Sequence, residues 1–205
     1  FILSQLQPVD GIERVFVRQA LGRVLAEDAV SPINVPSHDN SAMDGYAVRA
    51  EDVVEATQDA PLSLPVVGEI AAGKAALHRL SPGTAMKIMT GAPVPLDADT
   101  IVPYENTDRG ESDVKVFASS VVGQHIRRIG EDIKAGTQLF KDGDHLGPRD
   151  IGVLAGVGLD KVLVRPRPRV VVISTGSELV DPGLELSNEQ QIFDSNSYML
   201  AAAAK

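Results

Sequence analysis

A chain of 205 residues, 43% of them hydrophobic, can bury a substantial core in one large domain or two modest ones. Aromatics are only 4% and Trp is absent, so the core must come from Val, Leu, Ile and Ala, while 18 Gly and 13 Pro favour short strands between turns. A net charge of −9 argues against nucleic acid as a partner, the lack of Cys excludes disulfides and thiolate metal sites and accords with a cytoplasmic location, and no apolar run reaches the roughly 20 residues of a membrane helix.

In chain order, Val15-Phe16-Val17 is β-prone, residues 18–21 predict a helical turn closed at Gly22, and 23–30 alternates weakly as a strand does. Pro32 and Pro36 then break regular structure, and the polar block 38–49 reads as a loop. From 62 to 117 the pattern is all β, with short runs at 64–67, 85–89, 100–104 and 114–118 separated by Gly, Pro, Asp and Asn. Close-set strands of this kind predict a small barrel or sandwich over roughly 31–136, with 126–133 as an edge. A turn-and-strand passage follows at 136–146, with Asp142-Gly143 as its tight turn. Pro148 suits a first helical position, Ile151, Val153 and Leu154 supply an apolar face, and Gly156 or Gly158 ends the helix. Residues 162–164 form another strand.

Beyond Arg165-Pro166-Arg167-Pro168 the character changes. The β-branched run 170–173 predicts a strand buried on both faces, followed by a polar loop and a helix from Ser197 that Asp194-Ser195-Asn196 can cap. That order opens an α/β domain whose other strands this chain does not contain. Both ends read as internal points of a longer protein, since no signal-peptide pattern begins at Phe1 and the chain stops within alanines ending at Lys205.

Four loops can carry chemistry. Asn40-Ser41-Ala42-Met43-Asp44-Gly45-Tyr46-Ala47 is in the plainer reading an Asp-Gly turn; in the other, Gly45 lets the backbone approach a ligand while Asp44 holds a cation or a water. Met89-Thr90-Gly91-Ala92-Pro93-Val94-Pro95 is either a proline-stiffened turn or a turn whose hydroxyl and N–H groups grip an oxyanion. In Gly130-Glu131-Asp132, adjacent carboxylates after the basic His125, Arg127 and Arg128 either face water or hold Mg²⁺ with a substrate phosphate. Ser174-Thr175-Gly176-Ser177-Glu178 follows the predicted buried strand, where open α/β sheets place ligands: Thr175, Gly176 and Ser177 offer donors to an anion, and Glu178 a carboxylate for metal or proton work. His38, His78, His125 and His145 are scattered without metal-ligand spacing, and no nucleophile elbow, phosphate loop or dinucleotide fingerprint is present.

These loops, with 36–49, 88–95, 127–133, 174–179 and 194–196 in this order and at these separations, resemble the molybdopterin molybdenumtransferases, the family of MoeA and the gephyrin E domain. The resemblance covers essentially the whole chain as the family's N-terminal half. It implies a mixed α and β, multidomain fold: a discontinuous connecting β-rich domain (14–30 and 137–167), a β-rich barrel-like domain (31–136), and the start of a truncated α/β molybdopterin-binding domain (168–205, with 1–13 packed on it). It implies molybdenum cofactor biosynthesis, in which molybdate enters adenylated molybdopterin and AMP leaves, with Mg²⁺ as the cofactor that can bridge these anions to carboxylates. Asp44, Thr90, Asp132 and Glu178 fall on the family's catalytic positions, Asp132 and Glu178 as metal or water ligands and Thr90 as an anion contact. Thr175, Gly176, Ser177, Asp194, Ser195 and Asn196 fall on cofactor-binding positions. A homodimer and an upstream molybdopterin adenylyltransferase are the implied partners, and this chain alone is expected to be inactive. The competing reading is a gephyrin-like scaffold without catalysis.

Overall fold

The computed structural model describes residues 1, 3–5, 7, 9–71, 73 and 79–204; His78 and Lys205 lie outside the described residues. The chain is mixed and mostly strand, with two helices among the described residues. It divides into one unit of Arg14–Val164 and another of Phe1–Glu13 with Arg165–Lys205.

The first unit contains two hydrophobic centres of different construction. In one, β1 (Glu13–Phe16) pairs with a strand far along the chain, and β2 (Ala29–Val30) likewise finds a distant partner. Val17, Leu25, Leu146, Leu154 and Val164 pack together there. The other centre is a curled five-stranded half-barrel. Its members come in chain order after the short β3 (Asn40–Ser41): β4 (Gly45–Val48), β5 (Leu62–Ile70), β6 (Ala85–Ile88), β7 (Thr100–Pro103) and β8 (Asp113–Val116). Their spatial order is β7-β4-β6-β5-β8. β9 (Ile126–Arg127) pairs with β3, and β10 (Gln138–Phe140) with β2. α1 (Pro148–Gly156) begins on Pro148, and the Gly147 N–H donates to the Asp150 carboxylate at 2.8 Å. Gly158, at φ +82°, turns the chain out of it into β11 (Lys161–Val164), the partner of β1.

A break in the alternation of β5 explains how the half-barrel packs on both faces. Leu64 and Val66 point to the cluster of Tyr46, Val48, Val102, Val114 and Val116, whereas Ile70 joins Ala47, Met86, Ile88 and Ile101 on the other face. The register against β6 slips between Val66 and Glu69, and this bulge at Gly68 reverses which side the strand presents.

Two expectations fail. Residues 38–49 are not a loop: they contain β3 and β4, and β4 lies inside the sheet, hydrogen-bonded on both sides and fully buried. Polar composition hid it, because the strand depends on Gly45, where a Cβ would lie 2.1 Å from the Val102 carbonyl oxygen. The run 170–173 is not a buried strand: it joins no ladder, and Val170, Val171 and Ile173 are 57%, 79% and 77% exposed. β preference acts only through pairing and burial, and the described residues of this unit offer that run no partner. The unit's sole ladder among them is the two-residue parallel pair of β12 (Leu179–Val180) and β13 (Ile192–Phe193), before α2 (Asn196–Ala203). No helix among the described residues is long and apolar enough to cross a membrane.

Candidate functional site

The first cluster forms where the chain enters and leaves β4 and β6. Asp44 immediately precedes β4, and Thr90 follows β6; antiparallel pairing of Gly45 with Ile88 brings the two ends together. The Thr90 amide and hydroxyl both donate to the same Asp44 oxygen, Oδ1, at 2.7 Å each. The Thr90 hydroxyl, and then its amide, hold the Asp44 carboxyl below the ordinary carboxylate range. Asp44 is exposed, so its second oxygen faces solvent as an ionised acceptor.

The donors of Thr90 and of the two residues after it are engaged within the chain. Both Thr90 donors are committed to Asp44, the Gly91 N–H goes to the Ser41 carbonyl at 2.8 Å, and the Ala92 N–H goes to Met89 at 2.9 Å. Thr90 thus fixes the direction of Asp44 Oδ1. Gly91, at φ +78°, allows the tight reversal.

β3 ties this cluster to the third loop. Asn40 and Ser41 pair with Arg127 and Ile126, and Asn40 also bridges Pro93. The turn after β9 lies along the segment before β3: Asp132 and Ile133 donate backbone N–H groups to the Val35 carbonyl at 2.9 and 3.0 Å, and Gly130 donates to Pro36 at 2.9 Å. The Asp132 carboxylate accepts a hydrogen bond from Arg127, whose Nε also lies 3.9 Å from Glu131. Asp44, Thr90 and Asp132 are thus carried by one hydrogen-bonded framework.

The remaining candidates belong to the other unit. The Glu178 carboxylate folds back over Gly176, where a Cβ would lie 2.7 Å from both of its oxygens. Thr175 and Ser177 flank that glycine and are exposed. Asp194, 8% exposed, follows β13; its Oδ1 accepts the Ser197 N–H at 3.1 Å, in the first turn of α2. The Ser197 hydroxyl and amide, with Ser174 and the Asn196 amide, hold its carboxyl below the usual range. Ser195 occupies the N-cap position without a side-chain cap bond, so Asp194 caps the helix in its place. The 174–179 and 194–196 loops meet at a cleft of about 400 Å³ lined by Ser174, Gly176, Leu179, Asp181 and Asp194. Among the described residues no group of three or more His, Asp or Glu is gathered closely enough to enclose a metal ion.

Two residues of these clusters carried no sequence signal: Asp181, which lines the cleft, and Asp39, whose side chain meets Arg128 and Ile129, 89 and 90 positions later. Only a non-local contact could reveal either.

The chain is similar to known proteins over its whole length. Residues 1–158 match the model of the MoeA N-terminal region (domain I and II). Molybdopterin molybdenumtransferase 2 of Mycobacterium tuberculosis is 52% identical over 187 residues, covering 91% of this chain and 46% of that protein. Molybdopterin molybdenumtransferase of a Nostoc species is 40% identical over 204 residues, covering 100% of this chain and 47% of that protein. A crystal structure of the molybdopterin biosynthesis moeA protein of Pyrococcus horikoshii superposes with a TM-score of 0.86 at 36% identity, covering 98% of this chain and 54% of the other. The chain spans about half the length of the relatives it matches.

Proposed function

The chain belongs to the MoeA family, matching its N-terminal domains I and II, and on that premise we propose that the protein works in molybdenum cofactor biosynthesis, inserting molybdate into adenylated molybdopterin with release of AMP. The observation that carries this reading is the paired donation from Thr90 to one Asp44 oxygen. It keeps a carboxylate ionised and fixed in direction, with a free oxygen turned to solvent. Such a group is a weak base but a strong orienting acceptor for a water or a cation.

Both substrates are anionic, and Arg127 and Arg128 are already paired with Asp132, Glu131 and Asp39, so the site needs further positive charge. Mg²⁺ would supply it by neutralising phosphate oxygens. Asp132 in the Arg14–Val164 unit and Glu178 in the other are each hard oxygen donors of the kind Mg²⁺ takes alongside substrate phosphates. Thr175, Gly176, Ser177 and the 194–196 loop, around their common cleft, are the surface for the pterin and its phosphate. In this reading 31–136 is the barrel-like domain that presents Asp44, 14–30 with 137–167 is the connecting domain, and 168–205 begins the molybdopterin-binding one. The protein acts as a cytoplasmic homodimer, downstream of a molybdopterin adenylyltransferase, and the 205-residue chain by itself does not turn over.

The test uses the full-length gene product that carries this chain, supplied with adenylated molybdopterin, Mg²⁺ and molybdate, with AMP release as the readout. Molybdate-dependent release is expected, and Asp44→Ala should lower it by about 100-fold through loss of orientation. Wild-type turnover in Asp44→Ala would remove that residue from the site. Tight pterin binding without AMP release would favour a scaffold.

A further inference from the structure

The turn before Asp132 holds an arrangement of charge that the proposed function leaves unused. Adjacent residues Arg127 and Arg128 face Glu131 and Asp132 on their own turn and Asp39 from a segment 89 positions earlier. The pairing is selective. Arg127 serves Asp132 and Glu131, while Arg128 Nη1 donates to Asp39 Oδ2 at 2.7 Å. Asp39 Oδ1 accepts the Ile129 N–H at 2.8 Å, and the Arg128 N–H donates to Glu131 Oε2 at 2.9 Å. The Ile129 amide, and against partial burial the Arg128 guanidinium, lower the Asp39 carboxyl below its ordinary value, so it stays ionised. The Asp39 carbonyl also accepts the Val94 N–H at 3.0 Å, which anchors Asp39 in the framework shared with Thr90.

We propose that Asp39 is a positioning residue: by capturing Arg128 it leaves the Asp132 carboxylate with a single guanidinium partner and a face open to ligand. The inference rests on the functional reading given above for Asp132. The physical reason is competition. The side chain of Arg128 is 54% exposed and free to swing if released. Asp132 lies four residues further along the same turn, which the bond from the Arg128 N–H to Glu131 closes. A second guanidinium would neutralise Asp132 and occupy the oxygens that a substrate-bound cation or an ordered water needs. Exposed ion pairs contribute little to stability, so the effect belongs to the site's occupancy and not to folding.

Asp39→Asn separates the two parts of the interaction, because Asn can still accept the Ile129 N–H while losing the charge that holds Arg128. In the full-length gene product, Asp39→Asn should lower kcat for AMP release roughly 10-fold with KM for adenylated molybdopterin within about two-fold. Asp39→Asn/Arg128→Gln should return to within about two-fold of Arg128→Gln alone, because the competitor is gone. A double variant no better than Asp39→Asn overturns the proposal and leaves Asp39 as a structural tie. A second arm needs no turnover. Arg128 side-chain NMR signals in this chain should respond to Asp132→Asn in the Asp39→Asn background and be indifferent to it otherwise. Indifference in both backgrounds also overturns the proposal. Should the wild-type protein release no AMP, the functional reading fails, and the NMR arm still decides the pairing.

Discussion

Replacing Thr90 by Val tests the Asp44–Thr90 pair with little change of shape, since both side chains are β-branched and the position is exposed. The substitution deletes the hydroxyl donor at 2.7 Å and keeps the amide donor at 2.7 Å. A hydrogen bond to a charged acceptor contributes about 1.5–3 kcal/mol. Asp44 is solvent-exposed, so screening reduces the expected loss to roughly 0.5–1 kcal/mol. The sign of its pH dependence follows from linkage. In the folded state the Asp44 carboxyl titrates below its ordinary value, so the bond stabilises the fold above that ordinary value and the contribution is lost as pH falls through the depressed one. Urea unfolding of both proteins at neutral pH and in acid measures the difference. Near-ultraviolet circular dichroism is a suitable probe, because the chain lacks Trp and its Tyr46 is buried. A gap at neutral pH that narrows in acid is expected. A gap of equal size at both pH values would refute the hydroxyl–carboxylate bond as its source.

Other consequences are equally direct. Gly45→Ala places a Cβ 2.1 Å from the Val102 oxygen and 2.9 Å from the Pro103 Cα, both backbone atoms that cannot step aside. It should destabilise the half-barrel by about 3 kcal/mol or more, and a midpoint in urea matching wild type would contradict the β4–β7 register. Gly176→Ala should displace the Glu178 carboxylate, now 2.7 Å from the new methyl position, and lower AMP release in the full-length protein without moving the unfolding of the Arg14–Val164 unit. Tyr46→Phe removes a partly buried 2.8 Å bond from its hydroxyl to the Gly110 carbonyl and should lower stability by about 1 kcal/mol, with unchanged stability as the adverse result.

Strands β5 to β8 were legible in the sequence because period-two alternation and Gly, Pro and Asp punctuation are local signals. The start of α1 was legible on Pro148 for the same reason, and Asp194 was rightly taken as a capping residue. β4 was not legible: its Gly-Tyr-Ala-Val segment is buried by neighbours tens of positions away, and the residue that admits it, Gly45, ordinarily signals a turn. The 170–173 run failed in the opposite sense, having strong intrinsic preference and no ladder to join. At the site, Asp44 and Thr90 were both named from motif chemistry, yet their bond spans 46 positions and only the structure shows that Thr90 serves Asp44.

By itself the sequence determined composition-level and motif-level properties: a Val, Leu, Ile and Ala core, a chain of short strands, an acidic surface without thiols, and ordered loops specific enough to place the family. These follow from each residue's own chemistry and from spacing along the chain. The tertiary structure alone decided which loops share a framework, which oxygen of Asp44 is committed, and which carboxylate each arginine takes. Those outcomes depend on pairings between segments tens of residues apart, where strand register and the close approach at Gly45 set geometry that no local pattern encodes.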